Sequence, residues 1–262
     1  MKTIPLFQVD AFADQLFEGN PAAVCLLEDW LPDEILGAVA AENNLSETAF
    51  LVGKGTDYEL RWFTPAKEVD LCGHATLAAA FVLCSRYIPE AHRVTFKSRS
   101  GTLAVERSGE LLTLDFPVIQ LRPCEIPEVL EEALGTKILG CWTGMDYLVL
   151  LPDERILKAV QPDFRRLKEL DTRGVIVTAP GETADFVSRY FAPNYGIDED
   201  PVTGSAHCML TPFWAKRLDK TRMQAIQLSK RRGHLQCELA GNRVKISGKA
   251  VMFLEGKISL EG

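Results

Sequence analysis

Two glycines open apolar helical runs, Gly73-His74-Ala75-Thr76-Leu77 and Gly204-Ser205-Ala206-His207-Cys208. The first four N–H groups of a helix lack internal partners and carry about half a positive charge, so each start can hold an anion, most simply a carboxylate. Such an end contributes only about 0.3–1 kcal/mol when exposed and up to about 2 kcal/mol when partly buried, so placement matters more than strength. A plainer reading is that Asp70 and Asp200 cap these helices and that Gly73 and Gly204 serve tight turns. Glu47 stands in Asn43-Asn44-Leu45-Ser46-Glu47-Thr48-Ala49-Phe50, at the mouth of an apolar strand. Burial there would raise a carboxyl pKa from about 4.3 toward the 6–7 suited to proton transfer, giving a group that both takes and returns a proton. An exposed glutamate at a strand start is the simpler alternative. For His74 the alternative is a hydrogen-bonded structural histidine.

These residues belong to two copies of one pattern. Arg61, Phe63 and Pro65 return 128 residues later as Arg189, Phe191 and Pro193; Gly73 returns after 131 residues as Gly204. Arg99, Gly101, Leu103, Glu106 and Gly109 return after 132 residues as Arg231, Gly233, Leu235, Glu238 and Gly241. A period this long indicates duplicated domains rather than a solenoid. Two similar halves imply a cleft between them, and ligand sites favour such interfaces. We expect a lobe over residues 1–116, completed by a returning strand within 250–262, and a second lobe over 117–249. Pro117 and Pro123 flank the segment expected to link them.

Alternation and β-branched or aromatic content predict strands over 6–11, 22–27, 48–52, 58–63, 94–97, 102–106 and 111–115 in the first half. The second half is expected to repeat them over 147–151, 174–178, 186–191, 225–229, 235–239 and 243–247. Pro32, Asp33 and Glu34 start a helix reaching about residue 41. The run from Gly73 to about Tyr87 is apolar around its whole circumference and must be buried, so each sheet should wrap a central helix. Pro212 removes one hydrogen bond from the helix beginning at Gly204 and should kink it.

The chain has 262 residues, 47% hydrophobic and 25% charged, with a formal charge of -7, which argues against a nucleic-acid or anionic-membrane surface. The basic run Lys230-Arg231-Arg232 reads as a turn. No segment approaches the ~18 uncharged apolar residues of a membrane span, and a cytoplasmic protein is expected. Seven cysteines, an odd number mostly within apolar runs, fit reduced thiols packed as small hydrophobes.

Four ordered blocks carry a resemblance: Gly19-Asn20-Pro21-Ala22-Ala23-Val24; Asn44 to Phe50; Phe63-Thr64-Pro65 with Cys72-Gly73-His74-Ala75-Thr76; and Asp200-Pro201-Val202-Thr203-Gly204-Ser205-Ala206. Together they resemble the phenazine-biosynthesis PhzF-like family over essentially the full chain. The resemblance implies a diaminopimelate-epimerase-like α+β fold, with two pseudo-symmetric domains, each a curved, mostly antiparallel, barrel-like sheet around a buried central helix, and commonly a homodimer. It also implies a biosynthetic isomerase similar to that of trans-2,3-dihydro-3-hydroxyanthranilate, working without a cofactor on a small-molecule carboxylate. Carried over by residue, the catalytic positions fall on Glu47, His74, Asp200 and Ser205. Gly73 and Gly204 match positions whose N–H groups face the substrate.

The racemase branch of this fold uses two facing cysteines, each just before a helix-opening glycine. Here those positions are Cys72 and Thr203. A threonine hydroxyl is too weakly acidic to act as the second base near pH 7, which disfavours a two-thiol racemase or epimerase. Cys72 is read as a packing or substrate-contact residue. A metal site from Cys72, His74, His207 and Cys208 lacks the usual ligand spacing, and none is expected. The competing class is a noncatalytic member of the fold that binds a metabolite or a protein.

Overall fold

A computed structural model describes residues 2–260. In chain order, the first half forms β1 (Lys2–Ala11), β2 (Asn20–Leu27), helix α1 (Asp33–Asn43), β3 (Glu47–Lys54), β4 (Asp57–Phe63), the short β5 (Glu68–Val69) and helix α2 (Gly73–Val82), which continues into a π turn over Leu83–Tyr87. Then follow β6 (Arg93–Ser98), β7 (Gly101–Ser108) and β8 (Leu111–Pro117). The second half forms β9 (Arg122–Cys124), α3 (Glu128–Leu134), β10 (Gly140–Thr143), β11 (Tyr147–Leu150), α4 (Glu154–Ala159), α5 (Phe164–Leu167), β12 (Val175–Pro180), β13 (Phe186–Phe191), α6 (Gly204–Leu218), β14 (Arg222–Gln227), β15 (Gly233–Ala240) and β16 (Arg243–Gly248). The last strand is β17 (Ala250–Leu260). The chain divides into two compact units, Met1–Asp115 with Ser247–Gly262, and Phe116–Ile246.

In the first unit, β17 pairs antiparallel with β1 along its whole length, and β1 pairs antiparallel with β2. The next step is different, because β2 and β3 run parallel, with Ala22 opposite Glu47. β4 is antiparallel to β3 but parallel to β6. Parallel neighbours require a crossover; α1 supplies the first, and β5 with α2 the second. The second unit repeats the scheme: β11 and β12 are parallel, as are β13 and β14, with α4 and α5 inside one crossover and α6 inside the other. The remaining described pairings within each unit are antiparallel. The expected sheet is therefore present, with parallel steps that alternation of residue types does not reveal.

α2 packs against β1, β2 and β3, and its Ala75, Leu77, Ala78, Ala79, Ala80 and Val82 are all buried, as an all-round apolar surface requires. On α1, Leu36, Val39 and Ala40 join Cys25, Leu27 and Phe50 in a second core cluster. Helices on both faces explain why β2 and β3 read as nearly continuous apolar runs.

The repeated Arg-x-Phe motif acquires a physical reason. Arg61 makes two 2.7 Å hydrogen bonds to Glu68 while its guanidinium lies 5.1 Å from the Phe63 ring centre. Arg189 does the same with Glu199, at 2.7 and 3.0 Å, and with Phe191, at 4.9 Å. Each glutamate lies five residues before a helix-opening glycine, so the bidentate pair ties the approach to the central helix onto the preceding strand.

Pro212 lies within α6, which continues from Gly204 to Leu218. The carbonyl that its missing N–H would have satisfied belongs to Cys208, and it accepts instead from the Ile119 N–H at 3.2 Å. The segment expected as a linker thus contributes to the second unit, and its Arg122–Cys124 portion pairs with β10. Lys230-Arg231-Arg232 forms part of the turn between β14 and β15. All seven cysteines are free, six buried and Cys124 half-buried. No described helix is long and apolar enough to cross a membrane.

Leu77 has no exposed surface, so Leu77→Ala should destabilise the protein by about 2–5 kcal/mol. The expected readout is a lower urea midpoint with an unchanged denaturant slope.

Candidate active site

Parallel pairing brings the starts of β2 and β3 to the same end of the sheet. Asn20 is the first residue of β2, and Glu47 is the first of β3. Asn20 is delivered by Gly19, whose φ is +65° and whose Cβ, if present, would lie 2.1 Å from the Ala11 carbonyl oxygen; only glycine fits there. α2 begins at the same place. His74 Nε2 lies 3.1 Å from Glu47 Oε2, and His74 Nδ1 lies 3.3 Å from the Asn20 side-chain nitrogen. Cys72 Sγ is 3.5 Å from Nδ1 and 4.0 Å from Nε2 of the same ring. Ser46 donates to Asn20 Oδ1 at 3.5 Å.

The group is almost dry, with side-chain exposures of 8% for His74 and 14% for Glu47. Burial alone would raise the carboxyl pKa, as the sequence suggested, but the adjacent imidazole and the Cys72 side chain outweigh it and hold Glu47 below its ordinary value. The expectation of a raised Glu47 is therefore corrected. Burial opposes charge on His74 too, yet the neighbouring Cys72 and Glu47 raise it well above the usual imidazole value. The Cys72 thiol is pushed up to about 11 by burial and by the Glu47 charge. Both shifts favour a charged Glu47–His74 pair, and burial favours the protonated form of the Cys72 thiol.

The Asn20 side chain stands between the ring and Ser46: its amide contacts His74 Nδ1 and its Oδ1 accepts from Ser46. Glu47 Oε2 is buried without a hydrogen-bond donor, although Nε2 is 3.1 Å away. We count this contact as Coulombic, because proximity without directed geometry supplies attraction but does not satisfy the oxygen's lone pairs.

The second unit builds its own cluster at the corresponding place. Asp146 immediately precedes β11, Arg173 lies two residues before β12, and Ser205 is the second residue of α6. Arg173 Nε donates to Asp146 Oδ1 at 2.8 Å, Arg173 Nη2 pairs with Asp146 Oδ2, and the same Nη2 donates to Ser205 Oγ at 2.9 Å. The Tyr190 hydroxyl adds a 3.2 Å bond to Asp146 Oδ1. Thr203 donates its hydroxyl to Asp200 Oδ2, and the Gln227 amide bonds Asp200 O at 2.8 Å, Thr203 N at 2.9 Å and Thr203 Oγ1 at 3.2 Å. Cys72 and Thr203, the residues immediately before the helices, make no side-chain capping bond.

Sequence reasoning missed Asp146, Arg173 and Gln227. The repeat held a signal for Arg173: advancing 128 positions from Ser46 reaches Gly174, its immediate neighbour. His207 belongs to the helix rather than to proton transfer. Its Nδ1 bonds the Thr203 carbonyl at 2.9 Å, just as Thr76 bonds the Cys72 carbonyl at 2.6 Å in the first unit. Burial lowers its pKa to about 4. A separate cavity of about 240 Å³ in the first unit, lined by Phe81, Cys84, Arg107 and Lys249, includes none of these site residues.

The Glu47–His74 pair has a defined pH signature. The raised His74 contributes stability fully present below its unfolded pKa, near 6.5, and lost as pH rises through the folded value; the lowered Glu47 contributes stability present above about 4.3 and lost as pH falls through its folded value. A double-mutant cycle with Glu47→Gln and His74→Asn should therefore give its largest coupling at about pH 4.3–6.5, on the order of 1–3 kcal/mol, shrinking on either side. Coupling that is flat from pH 4 to pH 10 would contradict the ion pair.

The family model described as phenazine biosynthesis-like protein matches residues 9–256. An uncharacterized isomerase of Pseudomonas aeruginosa is 54% identical over 98% of this chain and 99% of its own, and one from Halalkalibacterium halodurans is 45% identical over 99% and 100%. The crystal structure of a PhzF-family protein from Enterococcus faecalis superposes with a TM-score of 0.97 at 51% identity, covering 99% of this chain and 100% of that one. With matching order, fold and coverage, the chain belongs to the phenazine biosynthesis-like PhzF family.

Proposed function

We propose that this protein is a cofactor-independent isomerase that moves a proton on a small cyclic or amino-acid-like carboxylate, in the manner of trans-2,3-dihydro-3-hydroxyanthranilate isomerase. The observation that carries the reading is the Glu47 carboxyl, whose buried Oε2 has no hydrogen-bond partner and lies 3.1 Å from His74 Nε2. Isomerase names among relatives with matching length support the reaction class.

In this reading, Glu47 takes a proton from an sp3 carbon next to a conjugated system. The C–H electron pair moves into that system, and the proton returns at its far end, so no redox partner is needed. Because its pKa is held low by His74, the protonated Glu47 is a good acid for the return step. His74 stabilises the carboxylate between turnovers and can offer its own proton to a developing negative charge. Asp200 and Ser205 are assigned to orienting the substrate's amine and carboxylate, with Thr203 and Arg173 fixing their rotamers. Gly73 and Gly204 contribute first-turn N–H groups of α2 and α6 to the anionic part. A positioned acid–base group of this kind supplies about 10²–10⁴-fold in rate, and orientation supplies the remainder.

The test is deuterium exchange from D2O into a panel of small carboxylates, followed by NMR. Wild type should exchange at least one compound, and Glu47→Gln should slow that exchange by about 10²–10⁴-fold. Exchange unchanged by the substitution would remove Glu47 from the mechanism. A ligand that stabilises both proteins equally without exchange would instead favour a noncatalytic binding member.

A further inference from the structure

The Glu47–Cys72–His74 cluster presents three chemically different metal donors, a carboxylate oxygen, a sulfur and an imidazole nitrogen, all within 4.8 Å of one another. Their spacing in sequence hides this, because Glu47 lies 25 residues before Cys72 and on a different element. A tetrahedral zinc ion, with bonds of about 2.3 Å to sulfur and about 2.0 Å to nitrogen and oxygen, needs its donors roughly 3.3–3.6 Å apart. The observed separations are 3.1 Å from His74 Nε2 to Glu47 Oε2 and 4.0 Å from Nε2 to Cys72 Sγ. Movements of about half an ångström would bring these two into that range, and the Glu47–Cys72 pair, within 4.8 Å, needs at most about 1.3 Å.

We propose that Glu47, Cys72 and His74 form a binding site for a thiophilic divalent cation of the zinc class, whose occupancy blocks proton transfer by Glu47. Binding releases the Cys72 thiol proton and one His74 ring proton to solvent, so that carboxylate, thiolate and neutral imidazole carry two negative charges, which a dication cancels inside a buried site. Three protein ligands leave a fourth position for water, as in open zinc sites. Asn20, 3.3 Å from His74 Nδ1, would serve as the outer partner that fixes the ring while Nε2 binds metal. Glu47 Oε2, buried without a donor, is the oxygen a cation would satisfy. Magnesium and calcium prefer six or more oxygen ligands, so one oxygen beside sulfur and nitrogen selects against them. The inhibitory part of the proposal rests on the isomerase reading; the binding part does not.

The binding test uses the intact protein and Co²⁺ as a spectroscopic probe. Wild type should develop thiolate-to-cobalt charge-transfer absorption that Zn²⁺ displaces and Mg²⁺ does not. Cys72→Ser should lose the band, and Cys124→Ser should keep it. His74→Asn, checked for folding by its melting curve, should weaken Zn²⁺ binding at least about tenfold by chelator competition. No band at millimolar cobalt, or a band that survives Cys72→Ser, overturns the site. With binding established, Zn²⁺ should stop deuterium exchange and a chelator should restore it; full exchange in the zinc-loaded protein overturns the inhibition. If wild type exchanges no compound, the isomerase reading fails and the cobalt titration still decides the site.

Discussion

Parallel strand pairing is the constraint on which the rest of this molecule depends. In an antiparallel pair, neighbouring strands begin at opposite ends; in a parallel pair they begin together. The β2–β3 pairing therefore brings Asn20 and Glu47 to one edge, and the crossover through α2 places His74 beside them. The same step between β11 and β12 gathers Asp146 and Arg173 next to Ser205. Reactive groups distant in sequence thus meet where three elements start.

The two units show how duplication separates scaffold from chemistry. Both retain the arginine–glutamate clamp, the arginine over the phenylalanine ring and a side chain bonded back to the carbonyl before the helix-opening glycine. The polar residues at the strand starts have diverged. One unit holds a buried acid–base pair with an adjacent thiol, whereas the other holds an arginine locked to a buried aspartate and a serine. A charge is costly to bury unless partnered, and the partners decide its state. His74 holds Glu47 below its ordinary value although burial works against it, while burial pushes His207 down to about 4.

Much of the scaffold was legible from local pattern. Period-two alternation and turn glycines locate most strands, and the all-round apolar surface of α2 requires burial whatever covers it. The strands over Gly140–Thr143 and Arg122–Cys124 were not anticipated, because they are short and lack alternation. The parallel steps were missed because alternation reports which face of a strand is buried, not which strand lies alongside. Pro212, expected to kink α6, lies inside a helix that runs on to Leu218, and the Cys208 carbonyl it leaves unpaired accepts from Ile119 in another part of the chain.

By itself the sequence determined the duplication, most of the longer strands, the buried central helices and, through four ordered blocks, the family and the residues worth examining. These depend on local periodicity and on residue identity, which a linear chain carries in full; the short helices α3, α4 and α5 carried no such signal. Only the tertiary structure decided the direction in which Glu47 is shifted, the grouping of Cys72 and Asn20 around His74, and the attachment of Ser205 to Arg173. Electrostatic shifts and donor geometry depend on distances of a few ångströms between residues far apart in the chain, and folding is what sets those distances.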